Sequence, residues 1–533
     1  MPPTVEHHGR PASPGLAAGP LVFLDRPRET RRASGDPVRE RADLETAIAG
    51  AIEAIRSLAG KAGGDAAEIL EFQVAMLEDE ALTAPALDRI ATGVDAVSAW
   101  METLAAQISD YEGADDDYFR ARAADLRDLR DEVARRLSGA ADIVLPDAAV
   151  LTGEDVTPTR FLSVDWSRGG GIALFAGSPS SHVAMLARSR GVPMIVGLGA
   201  LDLAGHDAAI VDAFSGRVIL SPRAEHWSAY ETARVEAAGR SETEAEAARH
   251  PARTRDGVPV SVMINVAGPE ELDRLDPAIC DGIGLVRTEF LFHRDGIPDE
   301  ETQYRAYRRI VEWAAPKPVV LRTLDAGGDK PIPGLTIDGE SNPFLGTRGI
   351  RLCLARPDVF RVQLRALARA AVHGNARIML PMVTVPEEID RAAALLDAAV
   401  TELAAEGIPC ARPPLGIMVE VPAVAVVPEL FARAAFFSIG SNDLTQYVTA
   451  AARDIAAVAG LVDGHHPAVV ALVGGVVGAG RRLGIDVSIC GDMGGDPAHI
   501  PALIAAGLRS VSVAPPQVGR AKLAIAAASA DAR

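Results

Sequence analysis

The sequence predicts a multidomain α/β protein ending in a (β/α)8 barrel, and three observations predict it. At 533 residues the chain is too long for one ordinary domain. From Pro259 onward, short apolar runs alternate with helix-like stretches: PVSVMINV, GIGLV, PVVLR, ARIMLPMV, LGIMVE, FFSIG, DVSIC and SVSVA. Polar residues collect where these runs end, on the side where barrel enzymes assemble their sites. A doubly wound open sheet is the structural alternative.

The elements follow in order. GPLVFLD, Gly19 to Asp25, reads as a strand. From Pro37 to Ser138 apolar residues recur at helical spacing, as in Leu44, Ile48, Ile52 and Ile55, which predicts a helical bundle. Between Ala141 and Ser221 the pattern turns to short β-rich runs, DIVLP, GIALFAG, PMIVG and AAIVDAFSGRVIL. The chain therefore begins in a small α/β unit (1–26 and 141–222), leaves for a helical insertion (27–140) and returns. A charged helical linker (223–253) leads into the barrel (254–533).

Composition narrows the classes. Hydrophobic content of 48% with 23% charged residues suits a soluble globular chain, and no apolar run is long enough to span a membrane. The N-terminus lacks an apolar signal core, so cytoplasmic residence without membrane insertion is expected. A net charge of -19 speaks against nucleic-acid binding. Cys280, Cys353, Cys410 and Cys490 form no CxxC pair, which argues against a zinc site or disulfide framework.

Two regions carry chemistry. GSPSSHVAML, Gly177 to Leu186, places His182 between a Gly/Ser turn and the first turn of a helix. Backbone N–H groups and the helix dipole favour an anion there, with Ser178, Ser180 and Ser181 as further donors. The plainer reading is that Ser180 or Ser181 simply caps the helix. In the barrel, Arg287, Thr288 and Glu289 follow the second run, Arg322 and Asp325 the third, and NPFLGTRGIR adds Arg348 and Arg351. Arginine forks converging at a barrel mouth suit a small, highly anionic substrate, whereas isolated arginines are ordinary surface. Glu420 ends the fifth run, and Ser441, Asn442 and Asp443 end the sixth. Two carboxylates beside an amide make an open oxygen site for Mg²⁺, unless Asp443 merely caps the helix after it. Cys490 ends the seventh run, as a proton-transfer group or a plain core residue.

With these residues in hand, the chain resembles Enzyme I of the phosphoenolpyruvate:sugar phosphotransferase system almost end to end. ASPGLAAGPLVFLD resembles that family's opening strand; AMLEDEAL and DDDYFRARAADLRDLRDEV resemble its helical domain that docks the phosphocarrier protein HPr. GSPSSHVAMLARSRGVPMIVG resembles its phosphohistidine segment, and GIGLVRTEFLF, LRTLDAGGDKP, NPFLGTRGIR, GIMVEVPAV, FFSIGSNDLTQY and SICGDMGGD its phosphoenolpyruvate-binding barrel. The resemblance implies a swivelling phosphohistidine domain, an HPr-binding insertion and dimerisation through the barrel. It implies that His182 is the tele-phosphohistidine, and that Arg287, Arg322, Arg348, Asn442, Asp443 and Arg453 bind phosphoenolpyruvate. Glu420 and Asp443 would ligate Mg²⁺ and Cys490 would donate the proton. Met76, Leu77, Asp79, Leu82 and Arg122, beside the acidic run Glu78 to Glu80, fall in the segments that meet HPr. The sequence departs from the family at the histidine loop, which lacks the usual arginine, at Asp492, where glutamate is usual, and at Asp454 and Ile455.

The implied activity is a relay: phosphoryl transfer from phosphoenolpyruvate to His182, release of pyruvate, then transfer to a histidine of HPr. Two competing readings are a Mg²⁺-dependent lyase or aldolase on the same barrel and a non-catalytic HPr-binding regulator. Both leave part of the chain idle, the first His182 and the helical insertion, the second the strand-end residues. A dikinase would need a glycine-rich ATP motif that the chain lacks.

Overall fold

The computed structural model describes residues 2–24, 33–60, 65–112, 117–139, 145–179, 181–292, 296–328, 332–337, 339–453, 455 and 458–530. Ser180, Asp454 and the expected crossings at Asp25 and Ala141 lie outside these residues, as do the side chains of Arg122 and His182. The chain divides into two compact units, Met1–Ala237 and Ala238–Arg533.

The first unit contains a mixed sheet of β1 (Val5–His8), β2 (Arg10–Ser13), β3 (Leu16–Phe23), β4 (Val150–Gly153), β5 (Gly171–Leu174), β6 (Met194–Val196), β7 (Ala208–Asp212) and β8 (Arg217–Leu220). Its order is β1-β8-β7-β3-β4-β5-β6-β2. Only Gly9 separates β1 from β2, yet they occupy opposite edges of the sheet, so the sheet must curl until its edges meet. Gly9 sits at that corner: a Cβ there would lie 2.7 Å from both Ile195 Cγ2 and Val196 O. Ala17, Val150, Ala173, Ile195, Val211 and Val218 share one core. Of the run DIVLP, Asp142, Ile143 and Val144 lie outside the described residues, and Leu145 and Pro146 are in no strand. After the helical insertion the described chain re-enters the sheet at Val150–Gly153, where all four residues are buried.

Between β3 and β4 the chain forms α1 (Pro37–Ala59), α2 (Asp65–Glu78), α3 (Glu80–Ala91), α4 (Ala96–Glu112) and α5 (Asp117–Leu137). On α1, Asp36 caps the N-terminus by accepting from Val38 N, and Leu44, Ala47, Ile48, Ala51 and Ile55 form the buried stripe. Each fully buried aliphatic side chain contributes about 1.5–3 kcal/mol. A polar knot ties the bundle to α6 (Pro158–Ser163): Asp128 Oδ2 accepts from Thr159 N at 3.1 Å, Thr159 Oγ1 at 2.8 Å and Gln73 Nε2 at 3.1 Å. Helices α7 (His182–Arg190) and α8 (Ala224–Ala248) complete the set, and the division between units falls within α8.

The second unit is a closed parallel barrel of β9 (Ser261–Val266), β10 (Ile283–Arg287), β11 (Pro318–Arg322), β12 (Asn375–Leu380), β13 (Leu415–Val419), β14 (Phe436–Gly440), β15 (Asp486–Cys490) and β16 (Ser510–Val513). Pairing of β16 with β9, Val511 opposite Val262, closes the ring and excludes the open sheet. All eight apolar runs are strands. Alternation within them builds two shells. Val319, Leu321, Ile417, Val419, Phe437 and Ile439 pack outward under the helices. Leu285, Val320, Met379, Met418, Phe436 and Cys490 form a separate inner core. Among the described residues no helix is long and apolar enough to cross a membrane.

Candidate active site

The inner core of the barrel determines what its mouth displays. Side chains two residues apart on a strand share a face, so Arg287 continues the row of Leu285, Arg322 that of Val320, and Glu420 that of Met418. Register sets the ends side by side: Arg287 is opposite Arg322, and Gly440 opposite Cys490. The same alternation that packs the barrel therefore turns polar at its C-terminal rim.

Two arginines and three carboxylates interlock there. Arg322 Nη2 donates to Glu289 Oε1 at 3.0 Å, and its Nη1 lies 3.1 Å from Asp325 Oδ2. Arg348 grips the same carboxylate, Nη2 to Oδ2 at 3.0 Å and Nε to Oδ1 at 3.3 Å. Asp443 Oδ1 stands 3.5 Å from Arg348 Nη1 but accepts no hydrogen bond. Arg322 Nε and Glu289 Oε2 are likewise buried without a partner. Such orphaned atoms are costly in a folded interior and common where a ligand completes the site. Glu420 is 1% exposed, and its Oε1 accepts from Met382 N at 2.6 Å.

Electrostatics follow from this crowding. Burial first, then the charges of Asp443 and Asp325, push the Glu420 carboxyl well above the usual carboxylate range. Burial opposes the charge on Arg322, but Glu289, Asp325 and Glu420 more than restore it, so it stays cationic. Cys490 is raised by burial, against the opposing pull of Ser438 Oγ, which lies 3.4 Å from its Sγ, and of Arg322, so it is held as a thiol. Asn442 Oδ1 accepts from Asp492 N at 2.9 Å, which fixes the turn after the cysteine. Gly491 has φ +97°, and a Cβ there would lie 2.5 Å from Ser441 Oγ, so the turn requires glycine.

Not every expected residue joins this network. Arg287 is exposed and makes no hydrogen bond or ion pair among the described residues. Arg453 is exposed too, with its backbone N–H donating to Gln446 Oε1 at 3.4 Å. Arg351 braces the neighbouring loop instead, through Leu345 O, Gly346 O and Thr384 Oγ1. Ser438 and Tyr447 join the site without standing at a strand end. Tyr447 is one helical turn after Asp443, with its hydroxyl 3.4 Å from Arg348 Nη1 and donating to Phe344 O at 2.6 Å. That i,i+4 spacing on one helix was the available signal.

The second candidate region lies in the first unit. Ser181 caps α7, its Oγ accepting from Ala184 N at 3.2 Å, and His182 is the first helical residue. Arg188 Nη1 donates to Pro179 O at 2.8 Å and Ala12 O at 2.6 Å, while Arg10 Nη2 donates to Gly177 O at 3.1 Å. Two arginines thus hold the backbone of a loop that has none of its own.

Residues 241–530 match the profile of the "PEP-utilising enzyme, PEP-binding domain", residues 8–122 the "N-terminal" profile and 145–216 the "mobile domain" profile of the same enzymes. The phosphoenolpyruvate-protein phosphotransferase of Geobacillus stearothermophilus is 38% identical over 521 residues, 95% of this chain and 90% of that protein. The chain belongs to the phosphoenolpyruvate-protein phosphotransferase family. Relatives of the same name from Priestia megaterium (37% identical, 97% of this chain and 93% of that protein) and Bacillus subtilis (34%, 95% and 92%) agree. Membership shows the expected transferase class and leaves the lyase reading without support.

In the helical unit the segments tied to partner docking divide by burial. Leu77 and Leu82 are 2% and 8% exposed and pack in the bundle core. Met76 is half-buried, Glu78 to Glu80 are exposed, and Asp79 caps α3 by accepting from Ala81 N at 2.9 Å.

Proposed function

We propose that this phosphotransferase moves the phosphoryl group of phosphoenolpyruvate to its own His182 and then to a histidine of HPr, releasing pyruvate. One observation carries the reading. Strand ends of a single barrel bring buried arginines, unsatisfied carboxylate oxygens and a protonated thiol to one mouth, as transfer from a small phosphorylated enol requires.

Arg322 and Arg348 hold the phosphate, with the exposed Arg287 and Arg453 reaching an anion from the rim and Asn442 beside them. Glu420 and Asp443 are the proposed Mg²⁺ ligands. Asp443 Oδ1, which accepts no hydrogen bond, and the charge crowding at Glu420 suit a hard dication, and two carboxylates are the usual protein share of a Mg²⁺ site. When bound, Mg²⁺ supplies charge neutralisation of the phosphate and the enolate oxygen. Among the described residues no group of three or more His, Cys, Asp or Glu is placed to hold a metal by itself, which is compatible with an open two-carboxylate site.

Neutral His182 attacks phosphorus in line through Nε2, and the bond from phosphorus to the enol oxygen breaks. The electron pair left on the enolate takes up a proton at C3 from the Cys490 thiol, giving pyruvate and a thiolate that solvent reprotonates. The proposed units are the swivelling domain (1–26, 141–222), the HPr-binding insertion (27–140), the linker (223–253) and the barrel (254–533). The exposed acidic run Glu78 to Glu80, with Met76, Asp79 and Arg122, supports docking of HPr on the insertion. Val426, Val427 and Leu430, 64%, 42% and 60% exposed on the barrel, support a homodimer.

Steady-state pyruvate release tests the reading. Turnover is expected only with phosphoenolpyruvate, Mg²⁺ and HPr together, and Cys490→Ala is expected to slow pyruvate formation far more than substrate binding. Full turnover in excess chelator, or equal rates with Cys490→Ala, would overturn it.

A further inference from the structure

We propose that Asp325 is a positioning residue that sacrifices substrate affinity to hold Arg322 and Arg348 in one fixed orientation; this rests on the phosphate-binding reading of those arginines. The observation is an apparent contradiction. A site built to attract a highly charged anion places a carboxylate directly against both of its buried arginines. Asp325 is completely buried. Its Oδ2 is shared between Arg322 Nη1 at 3.1 Å and Arg348 Nη2 at 3.0 Å, and its Oδ1 takes Arg348 Nε at 3.3 Å.

The backbone of Asp325 is fixed as firmly as its side chain. Its N–H donates to Glu289 Oε1 at 2.9 Å, and the same oxygen accepts Arg322 Nη2 at 3.0 Å. Glu289 therefore joins Asp325 and Arg322 from a neighbouring strand end. The preceding residue is pinned through Leu324 N to Gln363 Oε1 at 3.0 Å, with Gln363 Nε2 on Thr288 Oγ1 at 3.1 Å. Arg322 has part of its donor fork committed to carboxylates and part left over, as its unpartnered Nε shows.

Electrostatics alone would remove Asp325, since a negative charge beside two phosphate-binding cations weakens anion binding. Geometry requires it. A long guanidinium side chain without a bidentate partner samples several rotamers, and phosphoryl transfer depends on donors fixed before the transition state forms. The two demands predict opposite signs for one substitution. Asp325→Asn keeps the shape and removes the charge, so ground-state affinity and turnover should move apart.

The test uses the full chain with Mg²⁺, and with HPr in excess wherever turnover is read. Phosphoenolpyruvate binding is measured by calorimetry on a His182→Ala background, which cannot turn over, and pyruvate release is measured with His182 intact. For Asp325→Asn the expected result is binding unchanged or up to about tenfold tighter, with turnover at saturating substrate reduced by about 100-fold. Glu289→Gln, which keeps an acceptor on Arg322 and on Asp325 N, should shift both in the same directions by less. It carries the test should Asp325→Asn fail to fold. Binding and turnover lost in parallel, or turnover unchanged, would overturn the proposal while leaving the relay intact. A parent enzyme that releases no pyruvate would instead overturn the relay reading itself.

Discussion

Replacing Arg348 with lysine tests whether the guanidinium fork or only the positive charge matters. Arg348 makes two hydrogen bonds to Asp325, at 3.0 and 3.3 Å, and its Nη1 faces Asp443 at 3.5 Å and Tyr447 at 3.4 Å. One ammonium on a flexible stem can meet one of these carboxylates but cannot span both oxygens of Asp325. Charge is kept, so no carboxylate is left without a cation, and the loss is about one charged hydrogen bond, or about 2 kcal/mol. For a unit of this size that lowers the melting temperature of the barrel by about 4–8 °C. If the same fork also holds the phosphate, affinity for phosphoenolpyruvate falls by about 30-fold, since each 1.4 kcal/mol is about tenfold. Scanning calorimetry of the full chain reads the first and isothermal titration on the His182→Ala background the second. A variant that melts within about 1 °C of the parent and binds equally well would refute the role of the fork.

Three further outcomes follow from local geometry. Ser181→Ala removes the cap of α7, so that helix should lose about 1 kcal/mol, read as faster hydrogen exchange at Ala184 N, with phosphoenolpyruvate binding at the barrel unchanged. Gly491→Ala forces a Cβ to within 2.5 Å of Ser441 Oγ and 2.7 Å of Asn442 Oδ1 at a φ of +97°; pyruvate formation should fall sharply, and a fully active variant would show that the turn is not needed. Asp128 has a pKa raised from 3.8, first by burial, with its hydrogen-bond donors opposing. Its protonated form therefore favours the folded state, a contribution whole below pH 3.8 and lost as pH rises through the elevated folded value. Asp128→Asn should flatten the pH dependence of helical-unit melting across that window, and an unchanged profile would contradict the burial argument.

The barrel was legible because its outward faces are continuous Val, Ile, Leu and Phe, and because strand ends change abruptly to Arg, Glu and Cys. The edges of the first sheet were not. Strands VEHH and RPAS are polar and proline-containing, and their pairing depends on closure at Gly9, a long-range event that local pattern does not encode. Site residues at the rim follow from period two, whereas Tyr447 lies on the helix after the sixth barrel strand, where only its i,i+4 spacing from Asp443 marks it. A segment in a partner-docking region does not reveal which helix face is buried, as Leu77 and Leu82 in the bundle core illustrate. Arg351, one short turn from Arg348, faces the loop rather than the mouth.

The relay stands or falls on where the phosphate goes. Incubation of the full chain with Mg²⁺ and phosphoenolpyruvate labelled at phosphorus, followed by peptide mapping under alkaline conditions, reads this directly. The expected label is acid-labile, base-stable, confined to Nε2 of His182 and absent from His182→Ala. Label elsewhere, or undiminished label on His182→Ala, would contradict the account.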